Sequence, residues 1–503
     1  MKQTLIILAL QSLSWAVQAG DTSVIAKLRP HFPLIDRICA DFARQHHIPG
    51  VSVGLVANGH LMHTISFGVT DMARNTPVTP SSVFRIASMS KSFTAMAILK
   101  LRDAGKLQLD EPAERYIPSL KGLKYTTADA APVTIRHLLT HGAGFPEDNP
   151  WGDRQLADSD AEFNAFLKQG ITFSTAPGTA YEYSNLGFAM LGKIITNVSG
   201  QPYQQYIREQ IWNPLGMRHA AWEYADVAPG LLAHGYRYQD DRFTEEELLH
   251  DTPDGSWGAM GSMLSSVDEF AAYMNIHLAA WPPSDARETG PVRRASIREM
   301  QHPWRFSALN PNYTFPGGRV CPTAAAYCYG LRWVRDCEGR TFVGHSGGLP
   351  GFGSHWQVMP EHGLGIVALG NRTYSPMSVL TMQILDTLVR LTGLKPLSIP
   401  VSPILQTRME QLVRIIPDWK GAEQSGIFAE NFFPDYTLPL LQRQSAEIFG
   451  QIGAIRRVGP MRAENNLRGT FTLECERGRA DVYFTLTPEK TPLIQEYRIR
   501  VIK

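Results

Sequence analysis

Ser88 and Lys91, one helical turn apart, form a pair able to carry nucleophilic chemistry. A serine hydroxyl is a poor nucleophile at neutral pH and needs a neighbour to accept its proton. A lysine can accept it only if desolvation and nearby positive charge lower its pKa, and a buried helix supplies the first of these. Alone, Ser-x-x-Lys is a weak signal: the spacing recurs by chance, and Ser88 could merely cap a helix. Tyr183-Ser184-Asn185 adds a phenol and an amide two positions apart, which face the same way in an extended or loop segment. The phenol could share the proton load of Lys91, and the amide could hold Lys91 or a substrate carbonyl. The plainer alternative is a core tyrosine and an asparagine that caps the following helix. His345-Ser346-Gly347-Gly348 ends a β-type run with an imidazole, a hydroxyl and two residues without side chains. Glycines let a substrate backbone approach a strand edge. A backbone N–H here could join that of Ser88 as an oxyanion hole, although a strand-terminal turn is the blander reading.

The flanking sequence indicates which elements must position these groups. The short β-type run Val83-Phe84-Arg85-Ile86 leads into Ser88, and residues 94–101 are helix formers with apolar side chains at three- and four-residue spacing. Ser88 therefore opens a buried helix, with Lys91 on the same face. Upstream, residues 21–47 are predicted mostly helical, and 51–56 and 61–67 form two strands turned by Asn58-Gly59. Downstream, 105–110 reads as a turn with a short edge and 135–142 as a short helix broken by glycine. Residues 145–180 are an irregular wall with one helix at 161–168. Helices are predicted over 188–198 and 203–212, with turns over 218–255 and a helix start at 265–270. Residues 281–296 form an exposed loop or insertion, and strands fall at 329–334, 341–348, 354–359 and 364–369. A helix over 378–391 returns over the sheet. Composition shifts between 392 and 403, which places a domain boundary near 395. The tail, 396–503, opens with a helix at 404–416 and continues through strands at 448–458, 467–474 and 480–486, the last two turned by Gly478. It carries no identifiable nucleophile-base pair and is expected to be an accessory α+β domain.

The totals bound the reading. A chain of 503 residues with 44% apolar content is globular and too long for one ordinary core. A formal net charge of +1 offers no field for nucleic acid. Lys2, the apolar residues 5–10 and Val17-Gln18-Ala19 follow the order of a secretory leader over residues 1–19, cut ahead of Gly20. No other stretch reaches the length of a bilayer span. The expectation is a secreted protein of a bacterial periplasm without stable membrane insertion. Export permits disulfides, and one pair among Cys321, Cys328 and Cys337 is plausible, with Cys39 and Cys475 elsewhere. A metal site is disfavoured: the cysteine spacings do not suit zinc, and His137 and His141 lack an evident third ligand and more simply pack and cap their helix. Trp151-Gly152 and Trp257-Gly258 could wall a cleft or belong to the core, while His355 and Trp356 read as ordinary strand residues that could border it.

Taken in order, these segments resemble the serine beta-lactamase and penicillin-binding superfamily, in the branch of class C beta-lactamases, D-Ala-D-Ala carboxypeptidases and related esterases. The resemblance covers residues 30 to 390. It rests on Ser88-Met89-Ser90-Lys91, Tyr183-Ser184-Asn185 and His345-Ser346-Gly347, supported by residues 137–142 and 261–266. It implies an α/β (α+β) beta-lactamase/transpeptidase-like fold, an antiparallel sheet plus an all-helical lobe with Ser88 in the cleft between them. Ser88 would form an acyl-enzyme, Lys91 and Tyr183 the base system, Asn185 the substrate-orienting amide, and Ser88 and Gly348 the oxyanion hole, with Ser346 and Gly347 against the substrate. His345 stands where lactamases carry a motif lysine, so less fixed charge faces a substrate carboxylate. The implied activity is cleavage of an amide or ester without a cofactor, as a D-amino-acid peptidase or carboxypeptidase or as an esterase, acting on a small-molecule or peptide substrate that could be cell-wall-derived. A beta-lactamase, or a penicillin-binding, peptidoglycan-sensing module with little turnover, is the alternative. The tail weakly resembles a nuclear-transport-factor-2-like cone.

Overall fold

The computed structural model describes residues 22–246 and 253–502. The leader and its cut ahead of Gly20 lie outside the described residues. Contacts divide the chain into two compact units. One runs to Trp281 and resumes over Arg287–Lys395, and the other comprises Pro282–Ala286 and Pro396–Lys503.

The first unit is built on a large antiparallel sheet. β1 (Gly50–Ala57) and β2 (His60–Asp71) form a hairpin whose turn residues Asn58 and Gly59 have φ of 48° and 80°, the left-handed region open to asparagine and glycine. β3 (Thr76–Pro77) follows, then β4 (Phe84–Arg85), a hairpin of β5 (Tyr236–Gln239) and β6 (Arg242–Glu245), and β7 (Leu264–Ser265), which pairs with β4. β8 (Arg305–Asn310), β9 (Thr323–Tyr327), β10 (Arg332–Asp336), β11 (Thr341–Leu349), β12 (Phe352–Met359) and β13 (Leu364–Gly370) complete nine strands in the order β3-β2-β1-β13-β12-β11-β10-β9-β8. The central strands β1, β12 and β13 are buried along their whole length because both faces are covered. Val51, Val53, Leu55, Ile366 and Ala368 face the helices Phe32–Gln45 and Met377–Thr392. Trp356, Val358, Val367 and Leu369 join Val267, Phe270 and Met274 of the helix Val267–Leu278 on the other side.

That second core continues into a helical lobe around Ser90–Asp103, buried at almost every position as only a central helix can be. It meets Asn185–Ser199 through Lys91, which reaches Asn185 and lies 5.6 Å from the centre of the Phe188 ring, and meets Val267–Leu278 through Phe93, stacked on Tyr273 at 3.9 Å between ring centres. Its buried hydroxyls turn back onto backbone: Ser90 Oγ donates to Ala87 O (2.7 Å), Ser92 Oγ to Met89 O (2.8 Å) and Thr94 Oγ1 to Ala259 O (2.6 Å). The mixed α/β architecture of sheet and helical lobe is as expected from sequence, and Cys321 is disulfide-bonded to Cys337.

The second unit has the helices Pro403–Ile415 and Leu438–Ile452 and strands β14 (Ile455–Val458), β15 (Arg462–Asn465), β16 (Arg468–Cys475), β17 (Arg479–Leu486) and β18 (Ile494–Ile502). The sheet runs β14-β16-β17-β18, with β15 on β16, around a core of Leu412, Trp419, Phe432, Phe471 and Phe484.

Several local expectations differ. No strand forms at 105–110, and the strand expected from 329 begins at Arg332, after a turn at Gly330. Residues 448–452 belong to the helix Leu438–Ile452, so the strand starts only at Ile455. β5, β6, β8 and β9 were not expected.

Candidate active site

Ser88 sits in a tight turn, Ala87–Met89, between β4 and the helix Ser90–Asp103. Ala87 has φ 49°, an uncommon conformation for a residue with a side chain. The surroundings hold it there. Ser354 Oγ donates to Ile86 O (2.7 Å), Ile86 N to Met263 O (2.9 Å), and Met263 N to Ser90 Oγ (3.2 Å). β11 lies flat on this turn only because residue 347 is glycine: a Cβ there would come within 2.2 Å of Ile86 O and 3.0 Å of the Ala87 methyl.

Lys91 is completely buried, and its Nζ lies 2.9 Å from Ser88 Oγ, 2.7 Å from Asn185 Oδ1 and 2.8 Å from Met260 O. Burial, helped by the Arg332 charge and opposed by Asp153 and Asp148, lowers its pKa to about 7. A neutral amine has two hydrogens and one lone pair. With the hydrogens on the two acceptors that cannot donate, Asn185 Oδ1 and Met260 O, the lone pair faces the Ser88 hydroxyl. Such an arrangement can take the serine proton as the oxygen attacks.

Asn185 does not cap its helix: it is the first residue of Asn185–Ser199, and Ser184 is the cap, accepting from Gly187 N at 3.1 Å. Asp148 reinforces this end by accepting from Asn185 N (2.6 Å) and Leu186 N (2.8 Å), although burial still pushes its carboxyl pKa up. His141 holds the segment before it, its Nδ1 accepting from Ser184 N (3.0 Å) and its carbonyl from Glu182 N (2.9 Å). Tyr183 is thereby hydrogen-bonded to Ser88, and burial pushes its pKa above the ordinary tyrosine range, so it stays a neutral phenol at working pH.

His345 is buried, and its two nitrogens have different partners. Nδ1 donates to Ser346 O (2.5 Å) and Nε2 accepts from the Tyr327 hydroxyl (2.8 Å), which specifies one neutral tautomer. Burial, with the Arg332 and Lys91 charges, holds its pKa well below the usual histidine value. Positive charge enters this region instead through Arg332, which the sequence pattern did not single out. It is solvent-exposed yet ringed by phenols, as a group on a cleft wall is: its guanidinium lies 5.4 Å from the centre of the Tyr183 ring, and its electrostatic partners are Tyr181, Tyr183, Tyr327 and then Glu147.

Ser88, Lys91, Tyr183 and Asn185 are thus brought into direct contact, with Gly347 against the Ser88 turn and His345 beside Tyr183 at 6.3 Å between ring centres. Ser346 is not part of that cluster. It borders a cavity of about 300 Å³ together with Arg332, Tyr313, His355, Gln357 and Met382. Gly348 backs onto Tyr374, whose ring would lie 2.8 Å from a Cβ placed there. His137 caps its own helix with Thr134, and Trp257 is core, edge-on to the half-exposed Trp151. Among the described residues no group of three or more His, Cys, Asp or Glu side chains is placed to hold a metal ion, and no helix is long and apolar enough to cross a membrane.

The family model described as Beta-lactamase matches residues 35–390. Protein flp of Staphylococcus aureus (strain MW2) is 28% identical over 342 residues, which is 67% of this chain and 62% of flp, so under two thirds of that relative is spanned. Penicillin-binding protein 4* of Bacillus subtilis (strain 168) is 26% identical over 336 residues, covering 62% of this chain and 66% of that protein. The octameric penicillin-binding protein homologue from Pyrococcus abyssi shares the fold with a TM-score of 0.60 at 22% identity, over 94% of this chain and 96% of that one.

Proposed function

The chain belongs to the Beta-lactamase family, in the superfamily of penicillin-binding proteins and related serine hydrolases, and from that premise we propose that it is an exported enzyme that cleaves an amide or ester through an acyl-enzyme on Ser88. The observation that carries the reading is that Lys91 Nζ lies within hydrogen-bond distance of Ser88 Oγ and of two groups that can only accept, Asn185 Oδ1 and Met260 O, so that a neutral amine would turn its lone pair to Ser88. In the proposed first step Ser88 Oγ attacks the carbonyl carbon and its proton passes to Lys91. The carbonyl oxygen gathers negative charge against the backbone N–H groups of Ser88 and Gly348. Tyr183, a neutral phenol hydrogen-bonded to Ser88, gives its proton to the leaving nitrogen or oxygen as the C–N or C–O bond breaks, and is reprotonated from Lys91. Water then attacks the acyl carbon as Lys91 takes its proton, and the bond from the acyl carbon to Ser88 Oγ breaks as that proton passes to Oγ, which releases the acid and free Ser88.

A substrate ending in a carboxylate, such as a D-amino-acid peptide, is favoured over a neutral ester. His345 supplies no charge, but the exposed Arg332 guanidinium beside Tyr183 does. The relatives named for penicillin binding make a slow-turnover penicillin target the second reading. The test is intact mass spectrometry after treatment with a fluorophosphonate and with a labelled penicillin, followed by peptide mapping. A stoichiometric adduct on Ser88 that is absent from Ser88→Ala is expected, and full activity in Ser88→Ala would overturn the mechanism. A D-Ala-D-Ala peptide, a chromogenic cephalosporin and a short-chain ester assayed in parallel select among peptidase, lactamase and esterase.

A further inference from the structure

Asp153 is a carboxylate for which the proposed mechanism has no use. It is only 1% exposed, yet its Oδ1 has no hydrogen-bond partner among the described residues. Its Oδ2 receives one bond, from the Tyr374 hydroxyl at 3.1 Å. A buried carboxylate so poorly satisfied is costly and is not explained by packing. It is close to the reacting centre: it is the foremost charge favouring the ammonium form of Lys91, and Tyr183 feels it too. The loop that carries it lies directly on Asn185, since a Cβ on Gly152 would fall 2.8 Å from the Asn185 Cβ.

Its one partner is poised to leave. Tyr374 is 44% exposed, has φ 51°, an outlier for an aromatic residue, and stands over Gly348 at the oxyanion end of β11. Arg332 marks the other end, paired in register with Gly344, four residues back along β11. Four strand residues span about 13 Å. The strand beneath Ser88 therefore runs from a cationic pole at Arg332 to an anionic pole at Asp153. An extended peptide covers roughly 3.3–3.6 Å per residue, so two or three residues plus the two side-chain reaches fill that span.

The geometry points to Asp153 as the anchor for a protonated amine of the substrate, with the Tyr374 hydroxyl as the group that amine displaces. This rests on the acyl-enzyme reading above and narrows it: the substrate is a short peptide, amide or ester with a free amino terminus rather than an N-acylated one. The carboxylate of the same peptide, where present, faces Arg332.

The test compares D-Ala-D-Ala and D-alanine p-nitroanilide with their N-acetyl counterparts, and labels Ser88 with a fluorophosphonate in the same preparations. The wild-type protein is expected to favour the free-amine member of each pair by at least tenfold in kcat/KM. Asp153→Asn should bring that ratio near one, chiefly through KM. Tyr374→Phe, which removes the competing hydroxyl, should lower KM for the free amine several-fold. A labelled Ser88 with N-acetyl substrates turned over as well or better overturns the amine anchor alone, as does a ratio unmoved in Asp153→Asn. If that variant does not fold, the wild-type ratio and Tyr374→Phe decide. Absence of both label and turnover in the wild type overturns the acyl-enzyme reading and this one with it.

Discussion

Asn185 Oδ1 lies 2.7 Å from Lys91 Nζ and can only accept, so one hydrogen of the lysine is committed to it whatever the protonation state. The Met260 carbonyl commits a second at 2.8 Å. What varies with pH is the third position, toward Ser88: a hydrogen in the ammonium, a lone pair in the amine.

The rate of Ser88 acylation should follow that third position. Because burial depresses the lysine pKa to about 7, the rate is expected to fall about tenfold per unit well below that pH and to level off above it. Asp153 favours the ammonium, so Asp153→Asn should move this acid limb to lower pH. Fluorophosphonate labelling rates between pH 5 and 9 measure both, and a limb that moves upward in the variant would contradict the assignment.

Lys91→Met keeps much of the side-chain volume but has no proton acceptor of comparable strength. A loss of about 10²–10⁴ in acylation rate is expected, the range for a removed general base. Asn185→Leu should lower the rate less, because Met260 O still orients the amine. A stopped-flow acylation assay on correctly folded protein distinguishes the two.

Asp148→Ala deletes the carboxylate that accepts from two backbone N–H groups at the start of Asn185–Ser199. With Ser184 still capping, a cost of about 0.5–2 kcal/mol is expected, read as a lower urea midpoint. Ser184→Ala should add to it less than independently, since Ser184 Oγ also reaches Asp148 Oδ2 at 3.3 Å.

Gly347→Ala drives a methyl into Ile86 O, which Ser354 already holds at 2.7 Å. β11 or the Ser88 turn must move, so reactivity should be lost out of proportion to stability. Labelling reduced by more than about a hundredfold is expected, the scale of a roughly 1 Å misplacement, with little change in far-ultraviolet circular dichroism.

Acid should weaken the first unit through its buried histidines. His277 and His355 are held neutral in the fold, their pKa lowered to about 3 by burial. The unfolded chain binds their protons near 6.5 and the folded one does not. Their contribution is therefore intact above about 6.5 and declines as pH falls toward 3, each by up to about 1.4 kcal/mol per unit. Urea midpoints at pH 7, 6 and 5 should fall in wild type and fall less in His277→Gln.

The parts legible in the sequence are those set by local pattern. The Ser88–Lys91 spacing, the Asn58-Gly59 hairpin, the strands around His345 and the buried helix after Ser88 each follow from periodicity or turn chemistry within a dozen residues. What was not legible depends on contacts between distant segments. Met260 O, Asp148, Asp153 and Arg332 gain meaning only when loops close on Lys91 and Tyr183, and nothing in their neighbouring residues marks them. Asn185 was open to reading as a cap because the serine before it does that work. Residues 448–452 hold the apolar Ile448, Phe449 and Ile452 just before the β-type run at 455–458, yet they complete an amphipathic helix begun at Leu438, which ends where Gly453 takes φ 83°. β8 and β9 hide for a related reason, because the alanines 324–326 offer no period to read.

Val51, in the first long strand, finds its partner in Gly370. β12 and β13 complete the packing behind β11, so the floor of the site waits for the last strand of the sheet. A chain still emerging from the ribosome has Ser88 and Lys91 long before it has β11 laid beneath them. Under the proposed mechanism the site is therefore completed late in biosynthesis, and a truncated chain ending before Gly370 would hold Ser88 and Lys91 without the sheet that backs them.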